Sequence, residues 1–576
     1  MRCKSMRWCR PTWCLALAAS IGCGGPGPLP APVPGDAGQR LAEHARRFEQ
    51  RVEQVTEGVY SAIGFALANS ILVVAPEGKI VIDTTESLKS AREIKSKFTD
   101  ISSKPVKAIL YTHAHPDHVM GAAEFHEPQT RVIAHALFEP FLEQQFSALQ
   151  PALYRRGMRQ FGTFLSREDA ISAGIGPFLE WSTGEPPRFV RPTETFEAEK
   201  TLELAGEQLV LMHMPGETDD QIAIWLPGRR VLLCGDNYYP AFPNLYTIRG
   251  TSPRPIAAWI ESLDRMRRLR PEFLVPSHGE PVRGAERIQE VLTAYRDGIQ
   301  FVHDSVLRGV NAGKTPDELV AEIRLPPHLA SRTELTEYYG KISWSVRAIY
   351  DGYLGWFDGN ATNLDPLSVP ERARRLVELS GGFDAVSRTA DKALDEQEYQ
   401  WAAELCDLLL ALRPDAAGPR QTKARALMGL SQQTHNANAR HYYQTQAREL
   451  MGQIELPARL RVDAVLAESI PLDRIFAAMP SHLDPELAAD LELSALFHIK
   501  DTGKRYNVLV RRGVAEVFEG EPPGKPDLLF HVDERSYKHI ALGIDSSFWA
   551  LVEGRMLVDG SPLDLLRFGR LFKEGA

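Results

Sequence analysis

The chain is 576 residues long, which is too long for a single hydrophobic core and suggests roughly three or four domains. Hydrophobic residues make up 44% of it and charged residues 24%, a composition typical of globular proteins that excludes extensive disorder. The net charge of −9, together with the lack of a basic stripe interleaved with aromatic residues, argues against a nucleic-acid partner.

The first 22 residues have the pattern of an export signal peptide. Basic residues precede the apolar run 13–21, which is too short to cross a membrane as a permanent helix. The run leads into Ser20-Ile21-Gly22-Cys23, which resembles a bacterial lipoprotein cleavage site, although serine replaces the usual leucine. We therefore expect a signal peptide at 1–22, a candidate lipid anchor at Cys23 and a Gly/Pro/Ala-rich linker at 23–40. The exported protein would be periplasmic or an outer-membrane lipoprotein.

Between residues 41 and 297 the sequence predicts alternating strands and helices. The first are a charged helix at 41–54, a β-hairpin at 69–75 and 79–83, a helix at 87–98 and a strand at 106–111. The others are a helix at 121–126, a strand at 131–135, a helical insertion at 138–181, strands at 200–204, 208–212, 221–226 and 230–234, a helix at 255–269 and a strand at 272–275. Two sets of strands with helices between and outside them indicate a layered α/β domain.

The second half of the chain is predicted to contain two further modules. From residue 298 to about residue 455 the pattern is almost wholly helical, and it includes a helix pair at 396–412 and 420–430. From residue 456 onward, helices at 460–467 and 484–490 precede strands at 493–500, 504–511 and 514–519. This order predicts a small α+β domain at the C-terminal end.

Three histidines and a carboxylate follow the strand at 106–111 within six residues. In an extended loop alternate side chains point the same way, so His113, His115 and Asp117 share one side. His118 interrupts the alternation and faces elsewhere, which suits a second metal ion beside the first. A polar loop with incidental histidines is the plainer interpretation, but the density and spacing favour a metal site.

Three later segments carry ligand-type residues directly after predicted strands. The segment 215–220 contains Glu217 and Asp219, Asp236 follows the strand at 230–234, and His278 follows the strand at 272–275. Open α/β sites usually form at strand-end loops of this kind, so these side chains are expected to join the histidine loop. Imidazole and carboxylate ligands suit Zn²⁺, and two metal ions about 3.5–4 Å apart can acidify a shared water.

The HxHxDH motif at 113–118 resembles that of the metallo-β-lactamase superfamily. Glu217 stands at the position where standard hydrolases of that fold have a histidine. A glutamate at this position resembles the alkylsulfatases, the enzymes that hydrolyse alkyl sulfate detergents. The stretches 338–350 and 353–360 look like the opening of that family's dimerisation domain, and the tail from about residue 458 looks like its sterol-carrier-type domain. The resemblance implies an α/β metallo-β-lactamase αββα sandwich at 41–297, an all-α dimerisation domain at 298–455 and a small α+β sterol-carrier-like, lipid-binding domain at 456–576.

Carried over to this chain, the family's ligand pattern implies two zinc ions, with other divalent metals as alternatives. One ion would be bound by His113, His115 and Glu217. The other would be bound by Asp117, His118 and His278, with Asp236 as the bridging ligand. Asp236 departs from the glutamate that the family often has at the bridge. Asp219 is the competing candidate for the ligand role of Glu217, because the segment 215–220 is one residue shorter than the family pattern leads us to expect.

The segment 244–249 matches the family's sulfate-binding segment and implies a clamp for the substrate. Asn244 and Arg249 would bind the sulfate and, with Asp117, act in catalysis. Tyr246 would be a further substrate contact. A guanidinium group can bind two sulfate oxygens at once. The alternatives are that Arg249 forms a surface ion pair and that Tyr246 belongs to the core.

The resemblance as a whole implies a dizinc hydrolase that cleaves linear alkyl sulfate esters of the dodecyl sulfate type to alcohol and inorganic sulfate. The protein would form a homodimer through its helical domain. One rival hypothesis is another hydrolase of the same fold, such as a lactonase, a phosphodiesterase or a β-lactamase. The other is a non-catalytic lipid-binding protein whose metal domain is vestigial.

Overall fold

The computed structural model describes residues 36–145, 148–180, 185, 187–458 and 462–572. The predicted signal peptide, Cys23 and most of the predicted linker lie outside the described residues. Within the described ranges, no helix is long and apolar enough to cross a membrane.

The first sheet contains seven strands in the described part of the chain, and their spatial order follows the sequence. They are β1 (Arg51–Thr56), β2 (Val59–Ile63), β3 (Ser70–Ala75), β4 (Gly78–Ile82), β5 (Val106–Leu110), β6 (Arg131–His135) and β7 (Glu194–Phe196). Neighbours from β1 to β4 are antiparallel, whereas β4 to β7 run parallel. The carboxyl ends of β4 and β5 therefore meet at one edge, where the histidine loop begins.

The second sheet contains six strands, again among described residues, in the order β13-β12-β11-β10-β9-β8. They are β8 (Glu199–Leu204), β9 (Glu207–His213), β10 (Ile222–Leu226), β11 (Val231–Gly235), β12 (Phe273–Pro276) and β13 (Val282–Arg283). Its strands are antiparallel except for β11 and β12, which run parallel. These two strands thus end side by side, as β4 and β5 do in the first sheet.

Helices cover the outer faces of the two sheets, and a hydrophobic core fills the space between them. The helices are α1 (Asp36–Ala45), α2 (Leu88–Ile101), α3 (Pro116–Val119), α4 (Phe138–Gln145), α5 (Gln150–Phe161), α6 (Arg167–Ala170), α7 (Ile256–Arg268) and α8 (Ala285–Asn311). Ile82 of β4 and Leu211 of β9 belong to the core between the sheets. Ile94 of α2 packs on the first sheet, and Trp259 of α7 packs on the second. The predicted αββα sandwich is confirmed.

Two of the helix predictions in this domain are wrong. The helix expected at 41–54 ends at Ala45, and residues 51–56 form β1 because Val52 and Glu53 pair with β2. Pairing with the next strand, across the tight turn at Glu57-Gly58, here outweighs the local preference of a charged segment. The helix expected at 121–126 is reduced to a 3₁₀ turn at Ala122–Glu124, which the Phe125 N–H closes by donating to the Ala122 carbonyl.

The helical module continues directly from the sandwich. Its further helices are α9 (Pro316–Glu322), α10 (Pro327–Ala330), α11 (Ile342–Leu354), α12 (Val369–Leu379), α13 (Phe383–Asp395), α14 (Tyr399–Leu412), α15 (Ala417–Gln433) and α16 (Ala437–Leu450). Helix α8 runs through the domain boundary predicted at 297–298. Trp259, Tyr295 and Val346 of α7, α8 and α11 share one hydrophobic core, so the two modules are packed together.

The C-terminal domain is a twisted sheet with helices on one side of its core. Its elements are α17 (Ala464–Ser469), α18 (Leu472–Ala478), β14 (Glu492–Ile499), β15 (Arg505–Arg511), β16 (Val514–Glu519), β17 (Leu528–Val532), α19 (Glu534–Ala541), α20 (Ser547–Val552), β18 (Met556–Gly560) and α21 (Pro562–Leu571). The α+β class is confirmed, but the helix predicted at 484–490 is a series of turns. The Ala488 and Leu491 carbonyls accept the Gly513 and Arg512 N–H groups instead of continuing a helix.

Candidate metal centre

The predicted metal-binding residues come together at the strand ends of the two sheets. His113 and His115 lie on the loop after β5, and α3 carries Asp117 and His118 in its single turn. Asp236 directly follows β11, and His278 lies two residues beyond β12. The two parallel strand pairs therefore present their loops to the same site.

Asp236 lies at the centre of the cluster. Its Oδ2 atom is 3.2 Å from His278 Nε2, 3.5 Å from His118 Nε2 and 3.8 Å from His113 Nε2. Asp117 Oδ2 lies 3.4 Å from His118 Nε2 and 3.5 Å from His278 Nε2. Ligand atoms fall into three groups that could hold a metal: His113, His118 and Asp236; Asp117, His118 and His278; and His115, Glu217 and Asp236.

Glu217, rather than Asp219, points into the cluster. Glu217 is buried and forms a potential metal-binding group with His115 and Asp236. Asp219 is exposed, and its main-chain carbonyl lies 2.7 Å from His213 Nε2. The next residue, Asp220, accepts the Ala114 N–H at 2.8 Å and so ties this loop to the histidine loop.

Several buried ligand atoms in the cluster make no well-formed hydrogen bond among the described residues, although the two histidine nitrogens lie near carboxylates. They are His118 Nε2, Glu217 Oε2, Asp236 Oδ1 and His278 Nε2. Leaving a polar atom buried and unpaired typically costs about 1–3 kcal/mol, so their convergence needs a compensating partner. A set of imidazole and carboxylate donors of this kind fits a divalent metal.

The charge state of the cluster is also suited to metal binding. Burial, together with neighbouring His118, holds the pKa of His113 well below its usual value, and burial does the same for His115. Burial acts to raise the pKa of Asp117, but His118 outweighs it and lowers that pKa to about 2. The carboxylate is therefore ionised and both histidines are neutral, as metal ligands must be.

His118 and His278 behave differently from the other histidines. Burial lowers their pKa values, but the nearby carboxylates of Asp236 and Asp117 outweigh it and raise both. Both rings tend to hold a proton when no metal is bound. Because a metal must displace those protons, metal affinity should fall as the pH falls.

Asp83, which the sequence analysis did not single out, orients the cluster from the end of β4. Its Oδ2 atom accepts hydrogen bonds from Thr112 Oγ1 and Ser277 Oγ at 2.8 Å each and lies 2.8 Å from His118 Nδ1. Its Oδ1 atom accepts the Thr112 N–H at 2.8 Å. A carboxylate at the outer nitrogen of a metal-binding histidine fixes the ring's orientation and raises its basicity. The signal available in the sequence was a carboxylate at the end of the strand beside β5.

Arg254 is a second residue that the sequence analysis missed. Its Nη1 atom lies 2.8 Å from Glu217 Oε1, and both side chains are almost fully buried. Burial acts to raise the pKa of Glu217, and the guanidinium of Arg254 opposes that effect. Nothing in the spacing of the two residues indicated this contact.

Of the predicted sulfate-binding residues, Arg249 reaches the metal cluster. Its Nη2 atom lies 3.2 Å from His115 Nε2, and Nη1 donates to Thr247 Oγ1 at 2.8 Å. Asn244 is buried with both amide atoms unpaired among the described residues, and it does not line the same cleft. Tyr246 is half-buried and lines a separate groove with Trp344.

An open cleft leads to the cluster, and its walls are largely apolar. One wall is a face of α5, with further residues from neighbouring loops. The lining includes Leu153, Tyr154, Gly157, Met158 and Phe161 of α5, Leu67, Ile175, Leu179 and Tyr339, and, at the polar end, His115, Asp117, Glu217, Asp236, Arg249 and His278. A charged end beside an apolar wall suits an amphiphilic small molecule.

Comparison with known proteins identifies the family. Three family models match in order: metallo-beta-lactamase superfamily at 63–278, alkyl sulfatase dimerisation at 315–453 and alkyl sulfatase C-terminal at 462–575. A linear primary-alkylsulfatase of Pseudomonas sp. (strain ATCC 19151) is 37% identical over 86% of this chain and 97% of its own length. The chain belongs to the alkylsulfatase family.

Two further relatives of this alkylsulfatase-family chain are similar over most of its length. An (R)-specific secondary-alkylsulfatase of Pseudomonas sp. is 28% identical over 89% of the chain and 80% of its own. The solved structure of a stereoselective inverting sec-alkylsulfatase from Pseudomonas sp. matches with a TM-score of 0.84 at 27% identity, covering 93% of this chain and 86% of that one.

These similarities confirm the predicted family, the order of the three modules and the assignment as an enzyme. A lactonase, a phosphodiesterase, a β-lactamase or a non-catalytic lipid-binding protein is not favoured, because the similarity to alkylsulfatases extends beyond the metal domain. The alkylsulfatase fold and the candidate ligand groups together support a bound divalent metal.

Proposed function

We propose that this alkylsulfatase-family enzyme hydrolyses linear primary alkyl sulfates, such as dodecyl sulfate, to alcohol and inorganic sulfate. One observation carries the proposal: Arg249 and the cluster of ligand residues lie at one end of a cleft whose wall is the apolar face of α5. An alkyl sulfate has the same two parts, an anionic head and an apolar tail. The 37% identity with a linear primary-alkylsulfatase favours a linear primary chain over a secondary one.

Two zinc ions are proposed as the resident metals. His113, His115 and Glu217 would hold one, and Asp117, His118 and His278 the other, with Asp236 between them. When bound, the ions would supply the Lewis acidity that makes water a nucleophile at neutral pH. The orphaned Nε2 and carboxylate oxygen atoms support this ligand set.

The chain's own residues would bind and orient the ester. Arg249 is proposed to hold two sulfate oxygens, since its guanidinium is already fixed by Thr247 at Nη1. Asp117, which is ionised because its pKa is about 2, can accept a hydrogen bond from the attacking water. Asn244, the predicted second sulfate donor, has a buried amide without a partner among the described residues, but it does not line the cleft and so is not part of the proposed site. Tyr246, which faces another groove, is not part of the proposed site.

Sulfate release from dodecyl sulfate by the purified chain is the direct test. Release should stop on chelation and return with added zinc, and Arg249→Ala should raise KM and lower kcat. A β-lactam, a lactone and a phosphodiester serve as comparison substrates and should be turned over poorly. No sulfate release from a fully metal-loaded protein would contradict the proposal.

A homodimer through the helical module is also proposed. Large hydrophobic side chains are strongly exposed on one stretch of this module, as in Tyr353, Trp356, Leu364, Val369 and Leu379. Exposed large apolar side chains concentrated in one segment are typical of an interaction surface. The same module matches the family model named for dimerisation, so a second copy of the chain is the occupant that we propose.

The C-terminal domain is proposed to bind alkyl chains in the manner of a sterol carrier. A cavity of about 550 Å³ lies between this domain and the start of α5, where Gln150 and Pro151 line it. The rest of its largely apolar lining includes Phe497, Phe530, Tyr537, Leu551 and Phe568. Export and lipidation at Cys23 remain proposals that rest on the sequence pattern of residues 1–23.

A further inference from the structure

Gly157 lies in the middle of α5, on the face that lines the cleft. Leu153, Tyr154, Met158 and Phe161 share that face with it, as expected for residues three or four positions apart on a helix. Glycine inside a helix destabilises it relative to alanine, because the unfolded chain loses more conformational freedom. A glycine at this position therefore needs a reason.

Close packing, which explains glycines in other helices, does not explain this one. A Cβ atom at Gly298 would lie 2.8 Å from Leu335 Cδ2, and one at Gly429 would lie 2.6 Å from Tyr399 Cδ1. Among the described residues, a Cβ atom at Gly157 would meet a single neighbouring atom, Arg249 Cδ, at 4.0 Å, which is ordinary contact. The space beside Gly157 is thus part of the cleft, and no other described residue fills it.

The helix is held at a fixed distance from the segment that carries Arg249. Arg156, next to Gly157, donates to the Ile248 carbonyl from Nε at 3.0 Å and from Nη2 at 2.7 Å. Gln160, one turn later, accepts from Thr247 Oγ1 and from the Arg249 N–H at 2.9 Å each. These bonds on both sides of Gly157 stop the helix from closing onto the stem of Arg249.

We propose that the missing side chain at residue 157 determines substrate specificity by keeping room beside Arg249 for carbon atoms next to the ester oxygen. The inference rests on the proposed function, in which Arg249 holds the sulfate. With the sulfate on the guanidinium, the first carbons of the chain pass between that side chain and α5. A branch on the ester carbon, as in a secondary alkyl sulfate, fits the same space. The far end of the chain lies away from residue 157.

The test compares Gly157→Ala and Gly157→Leu with the wild-type chain on dodecyl sulfate and 2-dodecyl sulfate. Filling a space of methyl size in a pocket changes kcat/KM by about 10–200-fold. We expect Gly157→Leu to reduce kcat/KM for the branched ester at least about tenfold more than for the linear one. The effect of Gly157→Ala should be intermediate between the wild type and Gly157→Leu. Gly157→Ala should also raise the melting temperature, since no packing contact opposes the added methyl group.

Gly418, an exposed glycine at the start of α15, provides the matched control, because no atom in the described part of the chain lies within 4 Å of its added Cβ. Gly418→Ala should leave the ratio of the two activities unchanged. Equal losses on both esters in the Gly157 variants, or a lower melting temperature for Gly157→Ala, would overturn the inference.

A separate measurement distinguishes failure of the inference from failure of the proposed function. If the metal-loaded wild type hydrolyses neither ester, binding of both esters to chelated protein is measured by calorimetry. Gly157→Leu should then weaken binding of the branched ester more than that of the linear ester, and Arg249→Ala should abolish this difference. Identical affinities in wild type and Gly157→Leu would sink the inference independently of any turnover.

Discussion

At the scale of single residues, the metal cluster depends on side chains that bind no metal. The Asp83 carboxylate accepts hydrogen bonds from the hydroxyl groups of Thr112 and Ser277 and lies within hydrogen-bond distance of the outer ring nitrogen, Nδ1, of His118. The same carboxylate thereby joins β4, the histidine loop and the loop after β12. A single side chain thus sets the relative position of ligands from both sheets.

Replacing that carboxylate tests its role. Asp83→Asn keeps the size of the side chain but replaces one of its two acceptor oxygens with an NH₂ group, which can only donate. We expect zinc affinity to fall about 10–100-fold, measured by competition with a chelating dye. Ser277→Ala, which removes one of the four hydrogen bonds, is the control and should have a smaller effect. An unchanged affinity in Asp83→Asn would show that the histidine is oriented by other contacts.

Glu217 and Asp219 provide a matched pair of acidic residues two positions apart. Glu217→Gln should lose the metal ion shared with His115, because only the buried carboxylate faces the cluster, whereas Asp219→Asn should keep its full metal content. Metal content is measured by mass spectrometry. Glu217→Gln also leaves Arg254 without a charged partner, so folding is checked by circular dichroism. Metal loss in Asp219→Asn alone would reverse the assignment.

The ligand residues could be predicted because each follows a strand closely in the sequence. His113, Asp236 and His278 all lie within a few residues of a strand end, where the fold gathers its loops. Arg254 could not be predicted, because its contact with Glu217 depends on how a loop without regular structure folds back. Tyr246 illustrates the same limit, since it lines a groove separate from the cleft that Arg249, three residues later, reaches.

At the scale of elements, Glu86 connects two loops that form the cleft. Its buried carboxylate accepts the Leu67 N–H at 3.1 Å and the Glu180 N–H at 3.0 Å. The Leu67 carbonyl in turn lies 2.9 Å from His278 Nδ1. The residue before the N-cap of α2 therefore supports a proposed metal ligand through the main chain of a single residue, Leu67.

Glu86 should make the stability of the metal-free protein depend on pH. Burial raises the pKa of its carboxyl group from 4.5 to about 7 in the folded chain. Between these values the folded state binds the proton more tightly than the unfolded state, so stability falls as the pH rises, by about 3 kcal/mol in total. Glu86→Gln should remove this part of the pH dependence. Melting temperatures of chelated protein at pH 5 and pH 7 measure the effect.

An exposed glutamate provides the comparison for that experiment. Glu57 lies in the turn between β1 and β2 and is exposed. Glu57→Gln should leave the difference between the two melting temperatures as it is in the wild type. If Glu86→Gln also leaves it unchanged, another group is responsible for the pH dependence.

Local patterns predicted most of the strands and long helices, and they failed where pairing with another segment decides. The charged segment 41–54 has a helical pattern in isolation, but Val52 pairs with the neighbouring strand β2 of a tight hairpin. At 484–490 the carbonyl of Ala488 accepts the Gly513 N–H from the turn between β15 and β16. In both places hydrogen bonds to another segment replace those of a helix.

At the scale of the whole molecule, the exposed apolar stretch of the helical module should control assembly. Val369 is 73% exposed and Leu379 is 85% exposed, at the two ends of α12. A double substitution, Val369→Glu with Leu379→Glu, should convert the proposed dimer to a monomer by introducing charge into the interface. Sedimentation velocity measures the assembly state. Leu487→Glu, at an exposed apolar residue of the C-terminal domain, should remain dimeric, and an intact dimer in the double variant would exclude this surface.

The core shared by α7, α8 and α11 has a consequence for the order of events during protein synthesis. Every strand of both sheets and every proposed ligand precedes residue 284, but Tyr295, Val346 and Tyr350 complete the core behind the second sheet. Tyr339 of the cleft wall is also made late. A growing chain thus holds all its metal ligands before the structure around them is complete. We expect purified chains truncated after residue 284 to exchange bound metal freely and chains truncated after residue 360 to retain it. Equal exchange from both would mean that the two sheets close the site without the helical module.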